Sequence, residues 1–264
     1  MNTPTTIEFA PPAAAAESNA TPWSTVGKSV YQDLVLKPEY QARRYKFPNE
    51  IWFRILPALR GSKSWMLPVH CLNYQKGRHI HPKTLTPGAK SVFDRAYQWY
   101  KVNRPEDLFS KTNKEHGIRL LCDRLCVFWI IVQEGTKTLA RLVVVSGNDG
   151  SWGGAQGIGH KIWELTQQRD EDGNLIASPV DPIGGVQICV EKTQPQGSRF
   201  PSYSLRLGRV PAPMDDILKR MDPSELAVLT PIENVVRVID EDTEWKLFEN
   251  VIDPTTIAKI RAEV

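Results

Sequence analysis

FPNEIWFRILPALRGSKSWMLPVHCLNY, residues 47–74, carries two short apolar runs, Ile51–Leu56 and Trp65–Leu72. Each is rich in aromatic or branched residues; the first ends at Pro57 and the second holds Pro68. Breaker-bounded runs of this composition predict two strands. The link between them, Pro57–Ser64, holds Arg60, Gly61 and Lys63 and reads as a basic turn. In the first strand Ile51, Phe53 and Ile55 alternate with Trp52, Arg54 and Leu56. Period two sends the two sets to opposite faces, so one face is core and the other presents a tryptophan beside an arginine. A flat ring next to a guanidinium is what an unpaired nucleic-acid strand requires, the ring for a base and the charge for a phosphate. The plainer alternative is a Trp52 packed under a loop and a solvated Arg54.

Upstream of this stretch, residues 1–22 are Thr, Pro, Ala and Ser without periodicity and read as a disordered arm. Tyr40-Gln41-Ala42-Arg43-Arg44-Tyr45-Lys46 is a basic aromatic cluster, suited either to a binding rim or to a solvated loop. Downstream, residues 74–116 form a polar insertion between strands. It holds the basic turn Tyr74–Lys83 and a helix over Thr86–Val102, with Phe93, Tyr97 and Tyr100 on one face. Arg119–Gln133 and Thr138–Ser146, joined by a short glycine-containing link, predict a long hairpin. Val127–Val132 is continuously apolar, so both its faces must be covered. A glycine-rich loop leads to a helix over about 155–169, with Ile158, Ile162 and Leu165 as its core stripe. Two further strands, Gly185–Lys192 and Tyr203–Leu207, complete a core spanning 23–210. Short helices and a short strand at Val235–Ile239 follow in an acidic helical segment, 211–264. The whole predicts a mainly β, α+β protein. Its centre is an OB-fold-like barrel of five to six strands with helical insertions.

The chain of 264 residues carries a formal charge of only +3, but the charge is polarised. Residues 37–119 hold 17 Lys and Arg against 6 Asp and Glu; residues 211–264 hold 6 against 12. A basic front can track phosphates, and an acidic back can dock basic partners. Four cysteines in a chain this long form no disulfide framework, which points to a reducing, cytoplasmic compartment. No apolar run has membrane-spanning length, so no membrane partner is expected, and no signal peptide is evident.

The usual chemical signatures fail on inspection. Gly159-His160-Lys161-Ile162 lacks the hydroxyl residue that a phosphate-cradling loop places after its lysine. His70, His79 and His81 lie near Cys71, and Cys122 and Cys126 follow, but no paired-cysteine knuckle of a zinc site exists. The histidines 79 and 81 are read as part of a basic loop, and no cofactor is expected. Neither a Ser-His-Asp pattern nor a local carboxylate pair is present. What stands out is the interleaving of cations with Tyr45, Trp52, Trp65, Tyr74, Tyr97, Trp99 and Tyr100 in the basic half. Cations release counterions and rings stack bases without regard to sequence.

The order of parts resembles the phage helix-destabilising, single-stranded DNA-binding proteins of the OB-fold class. The likeness runs over about 47–207. It rests on Trp52-Phe53-Arg54-Ile55-Leu56-Pro57, on Trp65-Met66-Leu67-Pro68-Val69-His70, and on Asp181-Pro182-Ile183-Gly184-Gly185 continuing through Ile188, Val190, Lys192 and Gly197 to Tyr203-Ser204-Leu205. It implies a cationic, aromatic-lined cleft that coats single strands during replication, recombination and repair. Many relatives carry a zinc ribbon after the Val-His motif; here His81-Pro82 stands where Cys-Pro is expected and no later cysteine pair follows. The residues assigned to phosphates are Arg43, Arg44, Lys46, Arg54, Arg60, Lys63, Lys76 and Arg78, and those assigned to bases are Tyr45, Trp52, Trp65 and Tyr74. Replication or recombination proteins are the expected partners of the acidic C-terminal segment. The alternatives are an RNA-binding or strand-annealing module, a structural virion-associated protein, and a nuclease with a dispersed acidic site.

Overall fold

The computed structural model describes residues 32–33, 35–74, 77–108, 118, 120, 122–150, 156–169, 171, 178–197, 201–249 and 252–262. The N-terminal arm, 1–22, lies outside them. The strands are β1 (Gln32–Asp33), β2 (Arg44–Tyr45), β3 (Glu50–Ile55), β4 (Met66–Tyr74), β5 (Gly77–Ile80), β6 (Asp123–Glu134), β7 (Lys137–Ser146), β8 (Val186–Thr193) and β9 (Ser202–Pro211). The helices are α1 (Val92–Asn103), α2 (Ile158–Thr166), α3 (Met214–Leu218), α4 (Pro223–Leu226), α5 (Glu241–Glu249) and α6 (Pro254–Ala262).

All nine strands belong to one sheet, and β6 is its hub. One edge of β6 takes β7 along nearly its whole length, from Leu125 opposite Ser146 to Glu134 opposite Lys137. The connection is a two-residue turn, with Gly135 at φ 60° as hairpins of this length require. The other edge is shared. β4 fills its first half, with Met66 opposite Phe128, and β3 its second, with Phe53 opposite Val132. From there the sheet forks. One wing runs β4–β5–β1 and the other β3–β8–β9, while β2 lies parallel against the outer edge of β7.

The expected five- to six-stranded barrel is therefore not what forms. Among the described residues no strand joins either wing back to β2 or β7, so the sheet stays open in a mixed α/β molecule. The physical reason is the division of β6: two strands on one edge lead away in two directions.

Period two along β6 fills both faces, as the unbroken apolar run requires. Leu125, Val127, Trp129 and Ile131 enter one core; Cys126, Phe128, Ile130 and Val132 enter the other. The second face is covered by α2 through Ile158 and Ile162. Gly157 and Gly159 let that helix come close, since a Cβ on Gly159 would lie 2.8 Å from Cys126 Cβ and 3.0 Å from the Ser146 carbonyl. Gly157 and Gly159 thus serve packing. The first face is covered by Met214, Ile217, Met221, Leu229, Ile232 and Val236. Residues 211–264 are therefore no separate domain; residues 31–264 form one compact unit.

Within the insertion, β5 extends the sheet and α1 builds a third core with α5 and α6. Phe93 and Phe248 meet edge to face at 4.5 Å between centroids, and Leu72, Trp99, Tyr100, Ile257 and Ile260 surround them. Ser91 and Asp94 cap α1 reciprocally. The Val92 amide then donates to Glu244 Oε2 at 2.6 Å. Glu244 is 1% exposed, and its Oε1 has no hydrogen-bond partner among the described residues. Burial pushes this carboxyl up to about 7; the Val92 amide opposes the shift, and Asp94 adds to it.

The sign of the effect follows. The folded carboxyl holds its proton where the unfolded one, near 4.5, has lost it. Its contribution to stability is complete below about pH 4.5 and is lost as pH rises through 7. Glu244→Gln keeps the acceptor for Val92 and removes the titration. Thermal unfolding should show the variant melting a few degrees higher than wild type at pH 8, with little difference at pH 4.5.

Candidate nucleic-acid interface

The wing β3–β8–β9 buries one face and opens the other. Phe53, Ile188, Val190, Leu205 and Leu207 face the core shared with α2. On the opposite face, register sets Trp52 beside Cys189 and Cys189 beside Arg206; the next row is Glu50, Glu191 and Ser204. Trp52 is 40% exposed, which is unusual for so large a ring. The Arg206 guanidinium arches across Cys189 to 5.9 Å from the Trp52 ring centroid. It also pairs with Glu50 at 3.3 Å and with Glu191. Ser204 Oγ donates to Glu191 at 3.1 Å, and the Cys189 thiol lies 3.7 Å from both Glu50 Oε1 and Arg206 Nη2. Burial raises the thiol, which Arg206 partly offsets, while the same contacts raise Arg206.

The residues assigned from the sequence do not converge on one groove. Trp52 faces solvent as expected. Lys46, Arg60 and Lys63 are exposed, the last two on the turn between β3 and β4, where the Lys63 amide donates to Glu233. Arg54 is a correction. It is 1% exposed, and its guanidinium donates to four main-chain carbonyls: Ala212 at 3.1 Å, Ile55 at 3.2 Å, Pro179 and Asp181. Desolvation lowers it to about 10, against an upward pull from Asp181. It holds the turn before β8 onto β3 and is not open to a phosphate. Arg43 is likewise engaged, paired with Glu225, whose Oε2 accepts the Ala140 amide at 3.0 Å. Tyr45 and Trp65 are partly buried against the core, Trp65 edge to face with Phe128 at 5.5 Å. Arg44 and Arg78 are half-buried on β2 and β5. The Tyr74 side chain and Lys76 lie outside the described residues.

The histidines are also corrected. His79 and His81 do not line a basic loop; they are 7% and 0% exposed. His81 Nε2 sits 2.7 Å from Ser91 Oγ and 3.0 Å from Asp94 Oδ2, and its Nδ1 accepts the Lys83 amide at 3.1 Å. Nε2 thus supports the cap of α1, while Nδ1 caps the short 3-10 turn at Pro82–Thr84. The three-residue donor cluster among the described residues is Glu50, Cys189 and Glu191, with ligand atoms within 4.8 Å of one another. Arg206 pairs with both carboxylates, so a cation there would compete with it for them.

What the sequence reading missed is Arg206. Its signal was the alternation Ser204, Arg206 against Tyr203, Leu205, Leu207; its neighbour Trp52 depends on a pairing between residues far apart in the chain. No family model matches the chain, and no curated protein matches it. No helix among the described residues is long and apolar enough to cross a membrane.

Arg54→Met would leave four carbonyls without their donor, and urea unfolding should register a loss of roughly 2–4 kcal/mol. Arg54→Lys should recover little of it, because one ammonium cannot span the arc that the guanidinium covers. A near-neutral Arg54→Met would contradict its role as the clamp between that turn and β3.

Proposed function

We propose that this protein binds single-stranded DNA without sequence preference, coating and protecting it during replication, recombination and repair, as a stoichiometric binder and not a catalyst. The observation that carries the proposal is the exposed Trp52 ring beside the Arg206 guanidinium on an open, otherwise polar sheet face. Ring and cation at this spacing suit a base and its phosphate. The excess of cations over residues 37–119 and the likeness of 47–207 to the phage helix-destabilising proteins support it. In this reading the forked sheet is an opened, enlarged relative of the OB-type barrel. Neither contact type reads base edges, so discrimination among sequences is weak. Replication or recombination proteins would meet exposed acids of 211–264 such as Asp215 and Asp242, in the cytoplasm of the host cell.

Glu50 and Glu191 compete with phosphate for Arg206. Titration of intrinsic fluorescence with oligo(dT) should give quenching and an affinity that falls steeply with salt. Trp52→Ala should weaken binding by about 1–3 kcal/mol, Arg206→Ala should weaken it and flatten the salt slope, and Glu191→Gln should tighten it severalfold. An affinity indifferent to both salt and Trp52 would sink the proposal. An RNA oligomer of equal length tests the RNA-binding alternative, which uses the same ring and charge.

A further inference from the structure

A cleft of about 590 Å³ opens between the β3–β8–β9 wing and α3. Its inner wall is apolar, with Val132 and Ile217 1% and 6% exposed, and Gln187, Asp216 and Arg220 are exposed at its rim. Arg54 lies at its depth. The cleft shares a face with Trp52. Arg54 follows Trp52 by two residues on β3, and Gln187 precedes Cys189, the cross-strand neighbour of Trp52, by two on β8. Two residues along a strand span about 7 Å.

We propose that this cleft receives one unpaired nucleotide unit, its base between the apolar walls and its phosphate at Arg220. This rests on the reading of the adjoining face as a nucleic-acid interface and extends it from a stacking platform to a pocket. Three features select the ligand. The aliphatic side chains of its walls, Val132, Val210 and Ile217, suit the faces of a flat heterocycle. The rim offers an amide at Gln187 and a carboxylate at Asp216, a donor–acceptor pair for the polar edge of a base. Finally, Arg54 at the floor is held mainly by main-chain carbonyls, with the Asp181 carboxylate offsetting part of its charge, and Arg220 adds a second cation at the rim. A volume of this order is typical of small-ligand sites.

The lining holds no aromatic ring. A base in the cleft is therefore unstacked, whereas a base on Trp52 is stacked. A short oligo(dT) carrying one 2-aminopurine separates the two: emission should rise on binding to wild type if the cleft takes the base, and fall if only Trp52 does. Gln187→Trp, at an exposed position, fills the cleft and should abolish the rise and weaken binding about tenfold. Arg220→Glu is the second variant and should weaken binding by a similar factor without entering the sheet. Thymidine monophosphate forms the other arm. Saturable binding that Gln187→Trp removes and Trp52→Ala leaves intact would mark a site for free nucleotides; binding only in the oligomer would mark a site for the strand. If the oligomer binds, Trp52→Ala weakens it, and both cleft variants bind as wild type does, the cleft is overturned and the interface stands. If wild type binds neither probe, both are overturned.

Discussion

The constraint on which the molecule depends is the desolvation of β6 on both faces. A strand whose every side chain from Leu125 to Val132 is apolar must be covered above and below. The fold supplies α2 on one side and the segment from Met214 to Val236 on the other. Because β6 is longer than either β3 or β4, its edge accommodates both in series. The fork follows from that difference in length, and the fork leaves the Trp52 end of one face of the β3–β8–β9 wing without a covering layer.

That bare face is where Trp52 and Arg206 meet, and its charge is mixed, one guanidinium against two carboxylates. The ring and the guanidinium are suited to a nucleic-acid strand, while Glu50 and Glu191 hold the guanidinium until something more strongly anionic arrives. Elsewhere the charge polarity of the sequence is partly resolved within the molecule. Arg43 pairs with Glu225 and Arg95 with Glu241, each joining the basic front to the acidic back. A difference that looked like two surfaces along the chain becomes, in part, a set of internal contacts.

Much of the architecture was legible from local pattern. Both halves of the β6–β7 hairpin, the strands β3, β4 and β8, and the apolar stripes of α1 and α2 all stand where periodicity places them. The absence of barrel closure was not legible, because β1, β2 and β5 have two to four residues each and carry no periodicity of their own. The site shows the same division. Period two correctly put Trp52 and Arg54 on one face, but it is blind to what lies across from each. The turn at Pro179–Asp181 and the Ala212 carbonyl cover Arg54, and nothing comparable among the described residues reaches Trp52. Likewise the capping of α1 by His81 depends on a contact ten residues away that no helical or strand pattern encodes.

The return of the segment Met214–Val236 over β6 has a consequence for biosynthesis. Chains emerge from the ribosome at roughly 5–20 residues per second, so the β6–β7 hairpin stands open to water for several seconds before that segment can shield it. The third core waits longer still, since Phe248, Ile257 and Ile260 are made later again. Completion of the sheet core thus lags well behind synthesis of its strands. A product terminated before Met214 would leave a sticky hairpin for chaperones or proteases to handle.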